Sequence, residues 1–227
     1  MLINLLGCDG AGKSTQLKWL IPWLEKTTGL PVRTLAKRDA LQAEKYPEAR
    51  YFGCSYRTLM YEILPEMRGE SRALFLFNLF AIQLCHQPPA ADEIVLLDGG
   101  WQKHVATEMA LGLSETWLSQ LIAPFPSPDL TLFLDVEPNV IIAWRRDNGD
   151  THAPYECGNQ LECSDERFLE QMNKVYSILS RHAREQDWTR VDGRQPPEQV
   201  FQALCAGVER YLAAPSAGAA FLPVKNS

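Results

Sequence analysis

Residues 7–14 read Gly-Cys-Asp-Gly-Ala-Gly-Lys-Ser and fill every fixed position of G-x-x-x-x-G-K-[ST]. A short apolar run, 2–6, precedes the pattern, and a stretch with helical spacing, 14–28, follows it. That context predicts strand, tight glycine turn and helix at the very start of the chain. Gly7, Gly10 and Gly12 let the backbone wrap closely, so that N–H groups of the loop, Ala11 included, point inward at phosphate oxygens. The helix opening at Ser14 and Thr15 adds the positive end of its dipole. Lys13 places a compact charge on the terminal phosphates, and Ser14 offers a hydroxyl to Mg²⁺. The expected ligand is ATP with Mg²⁺.

Further apolar runs at 32–36, 94–97, 130–134 and 188–191 predict four more strands. They are continuous rather than alternating, as in a sheet covered on both faces. Helical patterns are expected at 57–65, 71–86, 115–123, 139–147, 166–185 and 197–212. Pro22 should cost the first helix a hydrogen bond or kink it. The alternation of strands and helices predicts an α/β fold with a mainly parallel sheet. Residues 1–213 are expected to form one domain, 147–165 a polar lid, and 214–227 an Ala/Gly/Pro-rich flexible tail.

Ile94-Val95-Leu96-Leu97-Asp98 is an apolar strand ending in an acid, the Walker B form, which makes Asp98 the expected metal-side carboxylate. Leu132-Phe133-Leu134-Asp135 has the same form, so Asp135 is a second candidate. The single Asn-Lys, at 173–174, lies mid-helix without the following Asp, which argues against a GTPase. A net charge of −6 argues against a generic nucleic-acid or anionic-membrane binder. No leader is expected, and the longest apolar run, 73–85, is too short to span a membrane. The six cysteines form no C-x-x-C pair and are expected to be reduced thiols in a cytoplasmic protein. A small kinase acting on a small acceptor fits these features best.

The loop Gly7–Thr15, with an acid at its third position, resembles that of the thymidylate kinase family. The run Pro128-Asp129-Leu130-Thr131-Leu132-Phe133-Leu134-Asp135-Val136-Glu137-Pro138 is similar to the family's fourth strand, and 168–176 to the helix after its lid. Val191-Asp192-Gly193 and Pro197-Glu198-Gln199-Val200 resemble its closing strand and last helix. The resemblance covers both ends of the chain and the 129–138 core, and is thin over 38–71 and 99–126. It implies a P-loop kinase fold of five parallel strands flanked by helices on both faces, with a lid. The implied activity is ATP-dependent phosphorylation of a nucleoside monophosphate, dTMP to dTDP, in a homodimer. Asp9 would touch the acceptor sugar or its metal, against a simpler reading as a loop cap. Arg145 and Arg146, at the lid's start, would neutralise charge on the transferred phosphoryl group, with Arg167 a third candidate.

Departures concentrate on the acceptor side. Asp98-Gly99-Gly100 stands where the family has Asp-Arg-Tyr/Phe, and Leu79 where it has a base-facing arginine. Arg38 is a candidate anion contact, Phe75 or Phe77 a candidate base-stacking ring, and Lys103 a candidate replacement for the missing phosphate ligand. Two other readings stay open: a P-loop kinase with another small acceptor, and a non-catalytic nucleotide-binding protein.

Overall fold

The computed structural model describes residues 1–158 and 162–214. Five parallel strands, β1 (Leu2–Leu6), β2 (Val32–Leu35), β3 (Ile94–Asp98), β4 (Leu130–Asp135) and β5 (Thr189–Asp192), form one sheet in the order β2-β3-β1-β4-β5. The register pairs Leu5 with Asp98 and with Leu132, which brings the ends of β1 and β3 side by side. Everything that leaves the C-terminal ends of these strands therefore meets at one edge, the usual place for a ligand in an open α/β sheet.

Alternation along the strands divides the core. Ile3, Leu5, Ile94 and Leu96 pack with Leu17, Leu20 and Leu24 of α1 (Lys13–Thr28) and with Val200, Leu204 and Val208 of α8 (Pro197–Ala213). Leu2, Val95 and Leu97 pack with Phe77 and Phe80 of α3 (Gly69–His86), Trp101 and Val105 of α4 (Gly100–Ala110), and Leu118 of α5 (Glu115–Ile122). Helical crossovers between parallel strands cover both faces of such a sheet. The helices α6 (Pro138–Asn148) and α7 (Asp165–Glu185) join β4 to β5, and α7 lies against α4. Among the described residues, no helix is long and apolar enough to cross a membrane.

Pro22 lies inside α1 and costs it a hydrogen bond, as expected; its ring faces solvent, so water can satisfy the carbonyl that loses its partner. Three sequence expectations are corrected. The helix expected at 57–65 is a composite: a short α2 (Tyr56–Thr58), a π turn Leu59–Ile63, and a 3₁₀ turn Leu64–Glu66 that accommodates Pro65. Helix α4 had no sequence signal, because two glycines open it. Gly99 and Gly100 have φ of 77° and 48°, and a Cβ on Gly100 would stand 2.7 Å from Asn4 Oδ1. Finally, the cysteines are not all free. Cys157 and Cys163 are joined in a disulfide, with Cα atoms 5.5 Å apart. Cys8, Cys54, Cys85 and Cys205 are free. Most of the expected tail, 215–227, and residues 159–161 of the expected lid lie outside the described residues.

Candidate active site

The glycine loop has the conformation that its sequence demands. Gly10 and Gly12 take φ of 88° and 90°, and a Cβ on Gly10 would stand 2.6 Å from Ile141 Cγ2. The Lys13 ammonium is buried and donates to the carbonyls of Gly7 and Cys8 at 3.0 and 2.9 Å. Burial lowers its pKa, and Lys103 lowers it further. Burial also pushes the Cys8 thiol up to about 12, so this loop cysteine stays protonated and inert.

The loop is the wall between two clefts. The larger, about 880 Å³, is lined by Gly10, Ala11, Gly12 and Thr15 on one side and by residues 193–197 on the other, with Arg145 and Trp144 of α6 across it. The smaller, about 360 Å³, is lined by Asp9, Gly10, Gly12, Lys13, Ser14 and Thr15 together with Lys37, Tyr56, Asp98, Gly99, Lys103, His104 and Tyr155. Gly10, Gly12, Thr15 and Tyr155 belong to both. A third cavity, about 620 Å³, lies by the N-terminal ends of β4 and β5 and holds none of the loop.

In the smaller cleft, Asp9 and Lys103 form a close ion pair. Burial alone would raise the Asp9 carboxyl, but Lys103 and then Lys13 outweigh it and hold the carboxyl well below the usual range. Lys103, which burial would lower, is raised by Asp9. Among the described residues Lys37 has no carboxylate partner; its ammonium lies 5.7 Å from the Tyr155 ring. Burial and then Lys103 lower its pKa to about 7. His104 is pushed well below its ordinary value, first by burial and then by Lys37 and Lys103.

Ser14 and Asp98 share this cleft. One hydroxyl and one carboxylate are the hard oxygen donors with which a protein holds Mg²⁺ when phosphates complete its shell. Among the described residues, no group of three His, Cys, Asp or Glu side chains is arranged to hold a metal alone. Asp135 is committed elsewhere: it accepts from Tyr176 Oη at 2.8 Å and from Arg190 at 2.6 Å.

The two lid-proximal arginines part company. Arg145 forks onto Glu156 at 2.8 and 2.9 Å, lies 4.7 Å from the Phe168 ring, and flanks Gly10 in the larger cleft. Arg146 is exposed and pairs with Asp165, outside both clefts. Arg167, also exposed, donates to the Glu162 carbonyl.

Several candidates on the acceptor side fall outside the clefts. Arg38 is exposed and is not in the lining, because the 3₁₀ turn Lys37–Leu41 directs its neighbour Lys37 inward instead. Phe75 packs edge-on against Phe52, 5.6 Å away, in a satellite cluster beneath residues 40–67. Phe77 and Leu79 are core residues. Sequence reasoning missed Lys37, Tyr56, His104 and Tyr155. The only signal for them was a run of cationic and aromatic side chains in segments without a periodic pattern.

No family model matches the chain. Curated relatives match along most of its length. A thymidylate kinase of Synechococcus sp. (strain RCC307) is 29% identical over 88% of this chain and 91% of its own. A probable thymidylate kinase of Archaeoglobus fulgidus is 26% identical over 93% and 96%. The thymidylate kinase of Chlorobium chlorochromatii is 24% identical over the same shares, 93% and 96%. With its loop-flanked clefts and its parallel sheet, the chain is similar along nearly its whole length to thymidylate kinases, which are ATP-dependent nucleotide kinases.

Proposed function

We propose that the protein transfers the γ-phosphoryl group of ATP to a nucleoside monophosphate, dTMP giving dTDP. The observation that carries this reading is the single loop shared by two clefts. A donor in the larger cleft and an acceptor in the smaller would meet across Gly10–Thr15, with the reacting phosphates held together rather than left to collide.

In this reading Ala11, Gly12, Ser14 and Thr15 hold the donor phosphates by their N–H groups, and residues 193–197 receive the adenine. Ser14 and Asp98 would hold Mg²⁺, which would supply charge neutralisation for the phosphates. Lys13 leaves the carbonyls of its own loop for the terminal phosphates. Arg145, pre-aimed by Glu156 and Phe168, faces the transferred group across Gly10. Lys37 and Lys103 hold the acceptor phosphate in place of the family's arginine, and Asp9 orients Lys103. A phosphate acceptor is already ionised near neutral pH, so no general base is required. Closure of the lid, 147–165, excludes water from the transfer.

Homodimerisation and a cytoplasmic setting complete the proposal. Leu74 on α3 leaves 50% of its surface exposed, as a pairing helix would. Sedimentation of the wild type beside Leu74→Glu tests the pairing.

The decisive assay is ADP release from ATP·Mg²⁺ across nucleoside monophosphates and free nucleosides. Stimulation chiefly by dTMP is expected. A response to some other acceptor alone, or to none, overturns the assignment. Lys13→Ala should lower turnover about 1,000-fold or more with the fold intact, and retained turnover would remove the loop from the mechanism.

A further inference from the structure

We infer that the Cys157–Cys163 disulfide is a thiol-exchange site that sets the rate of phosphoryl transfer by holding Glu156, and through it Arg145, in place. This rests on the proposed role of Arg145 at the transferred group. The bond fastens the 3₁₀ turn Pro154–Cys157 to Cys163, the residue before the Ser164 N-cap of α7. Cys8, Cys54, Cys85 and Cys205 stay free, so pairing is confined to these two. In the cytoplasmic setting proposed above, thiols are kept reduced, and a disulfide there is as a rule an exchanging one, not a permanent staple.

The turn is tied at both ends, with Glu156 between the ties. At its start, His152 Nε2 lies 2.7 Å from Asp165 Oδ1, and the ring stacks on Phe168 with centroids 4.4 Å apart. The Ala153 N–H donates to Glu156 Oε2 at 2.9 Å. At its end, Cys157 is buried and held by its sulfur. The buried Glu156 carboxylate meets both terminal nitrogens of Arg145. Such a fork demands one relative orientation of carboxylate and guanidinium. Cutting the disulfide removes the covalent tie at the Cys157 end and frees the carboxylate to turn. A shift of about 1 Å in a group that faces reacting atoms can cost about 100-fold in rate.

Access decides how the bond is exchanged. Cys157 is 2% exposed and Cys163 half-buried, so an incoming thiolate reaches Cys163 Sγ first. The co-reactant is a dithiol reductant, small or protein-borne. Its thiolate bonds to Cys163 Sγ, the Cys163–Cys157 bond breaks, and Cys157 leaves as a thiolate that takes up a proton. The second thiol of the reductant then loses its proton, displaces Cys163 from the mixed disulfide, and closes the reductant's own disulfide. Two electrons and two protons have moved from the dithiol to Cys157 and Cys163. A small disulfide such as oxidised glutathione reverses the exchange.

The test is steady-state kinetics with ATP·Mg²⁺ and dTMP on the full chain, oxidised with glutathione disulfide or reduced with dithiothreitol. Thiols counted in urea should number four in the oxidised chain and six in the reduced one. Reduction should lower kcat about tenfold or more, with the KM for ATP and for dTMP within about twofold, and reoxidation should restore it. Cys163→Ser should match the reduced wild type and ignore both reagents, whereas Cys85→Ser should respond as the wild type does. In Arg145→Ala, reduction should cost nothing further. Should Cys163→Ser fail to fold, the wild type and Arg145→Ala carry the test. Full reduction with kcat unchanged overturns the inference, as does a chain that keeps six thiols under glutathione disulfide. A loss of equal size in Arg145→Ala also overturns it, because the bond then acts on the fold at large. An oxidised wild type without turnover on any nucleoside monophosphate overturns the proposed function, and this inference with it.

Discussion

Lys37 is half-buried among Lys103, Arg72 and His104, with Asp9 and Asp98 the nearby groups of opposite sign. Burial and the like charges bring its pKa to about 7, so it loses its proton as the pH rises through neutrality. The cationic form, which holds a phosphate, is thus the low-pH form. The acceptor phosphate reaches its dianion near pH 6. We expect kcat/KM for the acceptor to rise to about pH 6 and fall above about 7. Lys37→Arg should remove the upper limb, because a guanidinium does not titrate there; an upper limb unchanged in this variant would show that another group sets it. Lys103→Ala leaves Asp9 without its partner at the cleft wall, at a cost of about 2 kcal/mol, or roughly 30-fold in acceptor KM. The KM for ATP should barely move, and equal effects on both substrates would place Lys103 outside the acceptor site.

At the scale of elements, the strands were legible because they are buried on both faces and so read as unbroken apolar runs, such as Ile94–Asp98. The glycine loop was legible because its chemistry leaves little choice of residue. Helix α4 was not: Gly99 and Gly100 read as a turn, and the apolar positions of its short run are interrupted by Lys103 and His104. Those two break the pattern because they line a cleft rather than the core, so the missing helix and the missed His104 have one cause, although Lys103 itself was legible. The 40–67 segment hid for another reason, its composite of α, π and 3₁₀ turns having no single period. Gly100→Ala should expose the cost of starting α4 in a left-handed conformation against Asn4. We expect a loss of about 2–3 kcal/mol in urea unfolding. A neutral substitution would mean that the helix start shifts freely.

Across the whole molecule, a net charge of −6 coexists with a cleft that gathers three lysines, Lys13, Lys37 and Lys103, where phosphates would bind. Ligands that bind only the folded chain add to its stability by mass action. ATP·Mg²⁺ at 100 times its Kd should add about 2.7 kcal/mol, or roughly 5–10 °C in Tm for a chain of this size. Differential scanning fluorimetry reads this directly, and Lys13→Ala should lose most of the shift. A full shift in that variant would place the nucleotide elsewhere.

The two carbonyl bonds of Lys13 also bear on timing. An ammonium inside a fold has already been stripped of its water shell, and Gly7 and Cys8 stand in for that shell. An incoming phosphate therefore has no tightly held hydration layer to strip from this cation. It exchanges one set of oxygen partners for another, bond for bond. The dehydration of the principal phosphate-binding charge belongs to the folding of the chain, and substrate capture is left with a local swap of acceptors.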